Sequence, residues 1–346
     1  MVTNRSLSLL WTDSKQRFPF TFSFFPPCNS VVKIQCVLFI VLFLSCAPKP
    51  SEPKVPPVSS SPSVSSVPAE SRVFTDALGR RYAQKENPSR IVSLSPAVTE
   101  ILFAIGAGDS VAGVTDYCDF PPEARERVSV GGFSGATVSV EQIRVINPDL
   151  VILSADMHAR IVFLLDELGI PSFAVEPRNF SQVYDLVSLL GEICGCAAGA
   201  EGVIAEMKGK IVGLEERLRG RGRPAVFWLL GEDPLMSVGA GTFVTEAIGL
   251  AGGRNIFADV QEQWPLVSPE QVLLRKPDWI LFADAMAYDR LGREAGPRLL
   301  KTSFWQTLPA VREGRVTFFD GDLLYRYGPR LADAVVMIAQ ILHAGL

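Results

Sequence analysis

Two stretches of fifteen residues carry one pattern of polar and apolar positions. Residues 139–153 (SVEQIRVINPDLVIL) and 268–282 (SPEQVLLRKPDWILF) lie 129 positions apart and share Ser, Glu, Gln, Pro and Asp at matched places. Each opens with Ser-x-x-Gln, the capping-box arrangement in which Ser covers the first free N–H groups of a helix and Gln reaches back. An apolar turn follows, then Pro-Asp, which cannot continue a helix, then a short run of buried-strand character. Each copy therefore predicts helix, sharp stop, strand. Two such units this far apart imply two similar lobes, with Glu141 and Glu270 in equivalent positions.

Around these units the chain alternates regularly. Residues 73–82, centred on Asp-Ala-Leu-Gly, predict a hairpin, and residues 90–94 a strand. Ser95-Pro96 then starts a helix with Pro at its first position. Further strands are expected at 111–114, 150–153, 172–175, 225–230 and 316–319, with helices at 242–250 and from Pro329 onward. Residues 197–218 hold no Pro and predict one long helix with apolar positions at Val203, Ile204, Met207, Ile211, Leu214 and Leu218. Short strands joined by helical crossovers favour parallel sheets. The predicted fold is α/β: two Rossmann-like lobes with parallel-type sheets joined by one long rigid helix. The expected domains are 72–196 and 223–346, with 197–222 connecting them.

The amino-terminal region reads differently. Residues 36–44 (CVLFIVLFL) are an apolar run of nine after Lys33, too short to span a bilayer but suited to the core of a signal peptide. The run ends at Ser45-Cys46, which resembles the lipobox of bacterial lipoproteins, although Phe43 and Leu44 depart from it. On that reading residues 1–45 are an export region and Cys46 carries the lipid. Residues 47–71 hold 15 Pro or Ser in 25 positions, a tether with nothing to pack. The first 30 residues are long and Phe- and Pro-rich for a signal peptide, which suggests translation starting near Val31.

Composition narrows the chemistry. At 346 residues with 48% hydrophobic and 20% charged, the chain can bury a substantial core in two domains. A net charge of −4 leaves no electrostatic footprint for nucleic acid. The basic run 217–223 reads as a solvated helix end. Cys194-Gly-Cys196 is too closely spaced for an unstrained disulfide. The two histidines, His158 and His343, have no other ligand type nearby in sequence, so a histidine-rich metal site is not expected. No GxSxG or P-loop occurs, and an iron–sulfur oxidoreductase would need clustered cysteines that Cys118 lacks. An enzyme is not expected.

From about Arg72 onward, the segments RIVSLSPAVTEILFAIGAGDSVAGVTDYCDFPPEA, the two repeats, GLAGGRNIF, QWPLVSPEQV and GDLLYRYGPRLADAV resemble, in their joint order, the helical-backbone substrate-binding proteins of ABC importers. Within that class the iron-siderophore and vitamin B12 branch is nearest. Asp116-Tyr117 before Cys118-Asp119-Phe120-Pro121-Pro122, with Trp264-Pro265 before the second repeat, resembles the cobalamin binders. Phe133 stands where those often carry Trp, and Leu323-Leu324 where some carry Trp-Phe.

The resemblance implies a shallow inter-lobe cleft that takes a flat macrocycle or chelate: cobalamin, another corrinoid, a ferric siderophore or haem. Aromatic faces suit such ligands. The candidates are Tyr117 and Phe133 in the first lobe and Trp264, Tyr325 and Tyr327 in the second, each with a core role as its alternative. Arg326 would meet a ligand carboxylate or phosphate, or else form a salt bridge. Glu141 and Glu270 favour their helix N-termini as first-turn acids; the resemblance implies that they also dock onto permease arginines. The expected partners are a permease with its ATPase subunits, a small-molecule ligand and, through Cys46, the membrane. The resemblance further implies a monomer on the extracytoplasmic face without a resident cofactor. A surface lipoprotein that captures haem or an adhesion partner without a transporter is the competing reading.

Overall fold

A computed structural model of the chain describes residues 71–132, 134–283 and 298–345. Cys46, the export region, the tether and Phe133 lie outside these residues.

The hairpin forms from β1 (Arg72–Thr75) and β2 (Arg81–Gln84), paired antiparallel. Asp76 closes its turn, accepting hydrogen bonds from the backbone N–H groups of Leu78 and Arg80. The first lobe follows with β3 (Ile91–Ser93), α1 (Pro96–Ala104), β4 (Val111–Val114), β5 (Val128–Ser129) and α2 (Val140–Ile146). It continues with β6 (Leu150–Ser154), α3 (Ala159–Glu167), β7 (Ser172–Val175) and α4 (Phe180–Cys194). Its sheet runs β5-β4-β3-β6-β7, parallel throughout. Strands β3 and β6 are buried along their whole length, as a sheet covered on both faces requires.

Helix α5 (Ala197–Leu218) spans the residues predicted for it. It lies between α4 and the carboxy-terminal helix, burying Ala200, Met207 and Leu214 at seven-residue intervals. Val203, Ile204, Ile211 and Leu218 pack at the edges of that seam, so the core is continuous between the lobes. Gly199 is required at the start of α5, because a Cβ there would lie 2.1 Å from the Ile105 carbonyl oxygen.

The second lobe comprises β8 (Ala225–Leu229), β9 (Gly231–Glu232), β10 (Leu235–Met236), α6 (Phe243–Leu250), β11 (Arg254–Asn255) and α7 (Pro269–Arg275). After these come β12 (Trp279–Ala283), α8 (Pro309–Arg312), β13 (Val316–Phe319), α9 (Asp322–Tyr325) and α10 (Leu331–Leu342). Its parallel sheet runs β11-β8-β12-β13. Taken in chain order, that is second, first, third, fourth, the same winding as β4-β3-β6-β7. The pseudo-repeat seen in fifteen residues therefore extends through both sheets.

The repeat units match in detail. Ser139 and Ser268 each cap their helix, accepting from the backbone N–H of Gln142 at 3.2 Å and of Gln271 at 3.3 Å. Asn147 and Lys276 end the two helices in the left-handed conformation, at φ 51° and 48°. One expectation needs correction. Only α7 has the full capping box, with the Gln271 side chain accepting from Ser268 N–H at 2.9 Å. In α2 the Ser139 hydroxyl instead donates to Glu141 at 3.3 Å.

Candidate functional site

In parallel α/β sheets, ligands meet the loops at the carboxyl ends of the strands. In the first lobe the loop after β4 is a tight turn in which Cys118 N–H donates to Thr115 O at 3.0 Å. The Cys118 thiol is buried between the hydroxyls of Thr99 and Thr115, each 3.2 Å away. Burial pushes that thiol up, so it stays protonated and serves as packing. With Cys118 turned inward, its neighbour Tyr117 projects outward and is 53% exposed.

Asp119, next in line, reaches the other lobe and accepts from Arg326 at 2.5 Å. Arg326 also pairs with Asp322 at 2.8 Å and lies 3.7 Å from Glu100 on α1. Four residues further, Arg330 holds Glu100 in a fork, with Nε 2.9 Å from Oε2 and Nη2 2.5 Å from Oε1. Its guanidinium lies 4.0 Å from the centre of the Phe120 ring. Gly328, between the two arginines, lies close against Glu100: a Cβ there would sit 2.9 Å from its Oε2.

These groups tie the lobes together through the carboxylates of Glu100 and Asp119 and two guanidiniums, with Asp322 bracing Arg326 from its own lobe. Glu100 is nearly fully buried, and burial outweighs both arginines, so its carboxyl titrates above the usual 4.5. Asp119 behaves oppositely. Burial pushes it up, but the hydrogen bond and charge of Arg326 prevail and hold it below 3.8.

The same turn carries the two tyrosines. Trp228 Nε1 donates to the Tyr325 hydroxyl at 3.3 Å. Tyr327 stacks on Phe243, with ring centres 6.2 Å apart, and hydrogen-bonds the Ser95 side chain across the junction. Burial pushes the Tyr327 phenol up to about 12. Ser95 therefore faces the second lobe and makes no side-chain cap on α1. Both tyrosines pack against the core on one side, joining the two readings given them from sequence.

Trp264 lies on the loop before α7. Ser237 N–H donates to Pro265 O at 3.1 Å, and Val267 N–H to Leu235 O at 3.0 Å, which fixes the loop against β10. The ring remains 47% exposed. The Asp119–Arg326 pair thus brings the Tyr117 loop to the turn of Tyr325 and Tyr327, while Trp264 occupies a separate loop of the second lobe. Leu323 and Leu324 are buried and present no side chain outward. Glu141 and Glu270 are exposed on α2 and α7.

Sequence reasoning missed Glu100, Phe120 and Arg330. All three stood within the segments that carried the resemblance, but Glu100 sat in an apolar helix as an ordinary polar break. Among the described residues, no group of three His, Cys, Asp or Glu side chains comes together to hold a metal ion. No helix among them is long and apolar enough to cross a membrane.

Two parallel lobes sharing one helix, with exposed rings on their loops, define a two-lobed ligand-capturing protein. A sequence profile described as "Periplasmic binding protein" matches residues 91–323, and the chain belongs to that family. It is 30% identical over 276 residues to the uncharacterized ABC transporter substrate-binding lipoprotein YvrC of Bacillus subtilis, covering 78% of this chain and 84% of that one. Among solved structures it resembles the vitamin B12 binding protein BtuF of Vibrio cholerae, at 28% identity and a TM-score of 0.63, covering 74% and 96% of the two chains. It also resembles the heme-binding protein RhuT of Roseiflexus sp. RS-1, at 28% identity and a TM-score of 0.64, covering 73% and 97%.

Proposed function

We propose that this chain is the receptor of an ABC importer: it captures a corrinoid, cobalamin first, between its lobes and delivers it to the membrane permease and its ATPase subunits. The observation that carries this reading is the pair of exposed rings, Tyr117 and Trp264, on loops of the two lobes. Rings of this kind bury large apolar area against a flat ligand at little entropic cost. Phe133, outside the described residues, joins the proposal from sequence alone, and Tyr325 and Tyr327, on the stretch that Arg326 ties to the Tyr117 loop, form the wall of the proposed site. Arg326 pairs through Nη1 with Asp119 and through Nη2 with Asp322. Its part is to hold that wall, with a ligand carboxylate or phosphate as a competitor for the same donors. Glu141 and Glu270 dock onto permease arginines, one per lobe.

Titration of the purified protein with cobalamin, cobinamide, ferric siderophores and haem, read by tryptophan fluorescence, tests the ligand. Cobalamin should quench Trp264, and Trp264→Ala should weaken its binding by about 1–3 kcal/mol, the usual worth of an aromatic anchor. Unchanged affinity would remove Trp264 from the site. Tight siderophore binding without cobalamin binding would select the alternative. Haem is the second reading, supported by the likeness to the Roseiflexus protein. A tyrosine ligand to haem iron is needed as tyrosinate, which disfavours Tyr327, whose phenol is held at about 12.

On this reading the protein is held at the extracytoplasmic face of the membrane by a lipid on Cys46. The Cys46→Ser variant should leave the membrane fraction and lose palmitate labelling. Retention of both would send the anchor elsewhere.

A further inference from the structure

Val145 and Leu274 are the most exposed large apolar side chains among the described residues, at 77% and 80%. Single exposed apolar residues are ordinary and call for no explanation. These two are not independent: they occupy the same position of the two repeats, 129 residues apart like every other matched pair. Each lies four residues after its glutamate, Glu141 or Glu270, and therefore on the same helix face one turn along. Their helices share the Ser cap, the buried apolar residue (Ile143 and Val272) and the left-handed end. Conditions that kept the core position buried in both copies also left both exposed positions apolar, where a lone solvated helix would gain from a charge.

We infer that Val145 and Leu274 are the apolar half of a two-point docking surface for the permease, each beside its acidic half. The inference rests on the docking reading of Glu141 and Glu270. It adds what the partner must carry: twice over, a cationic side chain with an apolar recess about 6 Å away, the rise of four helical residues. The charge pair sets orientation and encounter rate, and the apolar contact slows release, because rim charges act mainly on association while desolvated contacts act on dissociation.

The test uses the mature protein and the detergent-solubilised importer of its own host, with binding followed by surface plasmon resonance at two salt concentrations. Val145→Ser and Leu274→Ser should each weaken binding about tenfold through faster release, as a central interface residue does. The double variant should weaken it further, with melting temperature and ligand quenching unchanged. Val145→Leu should retain binding. Glu141→Gln and Glu270→Gln should instead slow association, most visibly at low salt. If the glutamate variants weaken binding and the serine variants do not, the apolar half is refuted and glutamate docking stands. If neither pair has an effect, docking by these helices fails altogether.

Discussion

Uptake through the cognate importer should fall to background when Glu141 and Glu270 are both changed to Lys, while ligand binding and folding are retained. Both carboxylates are exposed on short helices at the lobe surfaces. Removing either should scarcely move the melting temperature, because neither is buried against a partner. Like charges placed across an interface suppress association and misorient the encounter, and here they would do so at both contacts. Single Glu→Ala variants should lose part of the uptake, and the double alanine variant more. The Glu270 carboxyl is held below its usual range by its own backbone N–H and the Ser268 hydroxyl, so it stays charged in mildly acidic surroundings. Uptake assays with radiolabelled cobalamin, beside fluorescence titration of each variant, separate docking from ligand capture. Normal uptake by the doubly reversed protein would leave the repeated glutamates as helix-start residues only.

Glu100→Ala should cost about 3 kcal/mol of stability in urea unfolding, towards the lower end of what breaking a buried ion pair costs. The substitution leaves Arg330 facing a cavity, with partial access to solvent at 24% side-chain exposure. Because burial outweighs pairing at Glu100, the pair fixes the lobe junction more than it stabilises it. Glu100→Leu combined with Arg330→Leu should therefore recover part of the loss. The pH dependence has a definite sign. Glu100 has a raised folded value, so its contribution is complete below 4.5 and is lost as pH rises through that raised value. Asp119 has a lowered folded value, so its contribution is present above 3.8 and is lost as pH falls through the lowered one. Glu100→Gln should remove the first dependence and leave the second. A Glu100→Ala protein within about 0.5 kcal/mol of the parent would place this carboxylate among ordinary surface groups.

What the sequence disclosed was local. The repeats, the hairpin and α5 rest on caps, breakers and periodicity that act within a few residues, and their bounds were read to within one or two positions. The two-residue strands β5, β9, β10 and β11 carry too few residues for any period to register. Glu100 was invisible for a different reason: its partner Arg330 is 230 positions away, so nothing near it in the chain announces the pair. Arg326 was read as meeting a ligand anion or else forming a salt bridge, and it forms salt bridges. Two of its acids, Asp119 and Glu100, were not legible because they belong to the opposite lobe, while Asp322 lies only four residues away. Ser95 was read as a helix start and is the N-cap of α1, but its side chain makes no cap hydrogen bond there and faces Tyr327.

The strip from Trp264 to Glu270 is anchored at Pro265 and Val267 and enters α7 directly at the Ser268 cap. Only six positions separate the ring proposed to meet the ligand from the carboxylate proposed to meet the permease. A strip pinned in this way has little slack. Any displacement that a bound ligand imposes at Trp264 must be absorbed by those few hydrogen bonds or passed to Glu270. On the proposed docking, a transporter touching Glu270 would therefore feel at a single loop what the ligand does to Trp264.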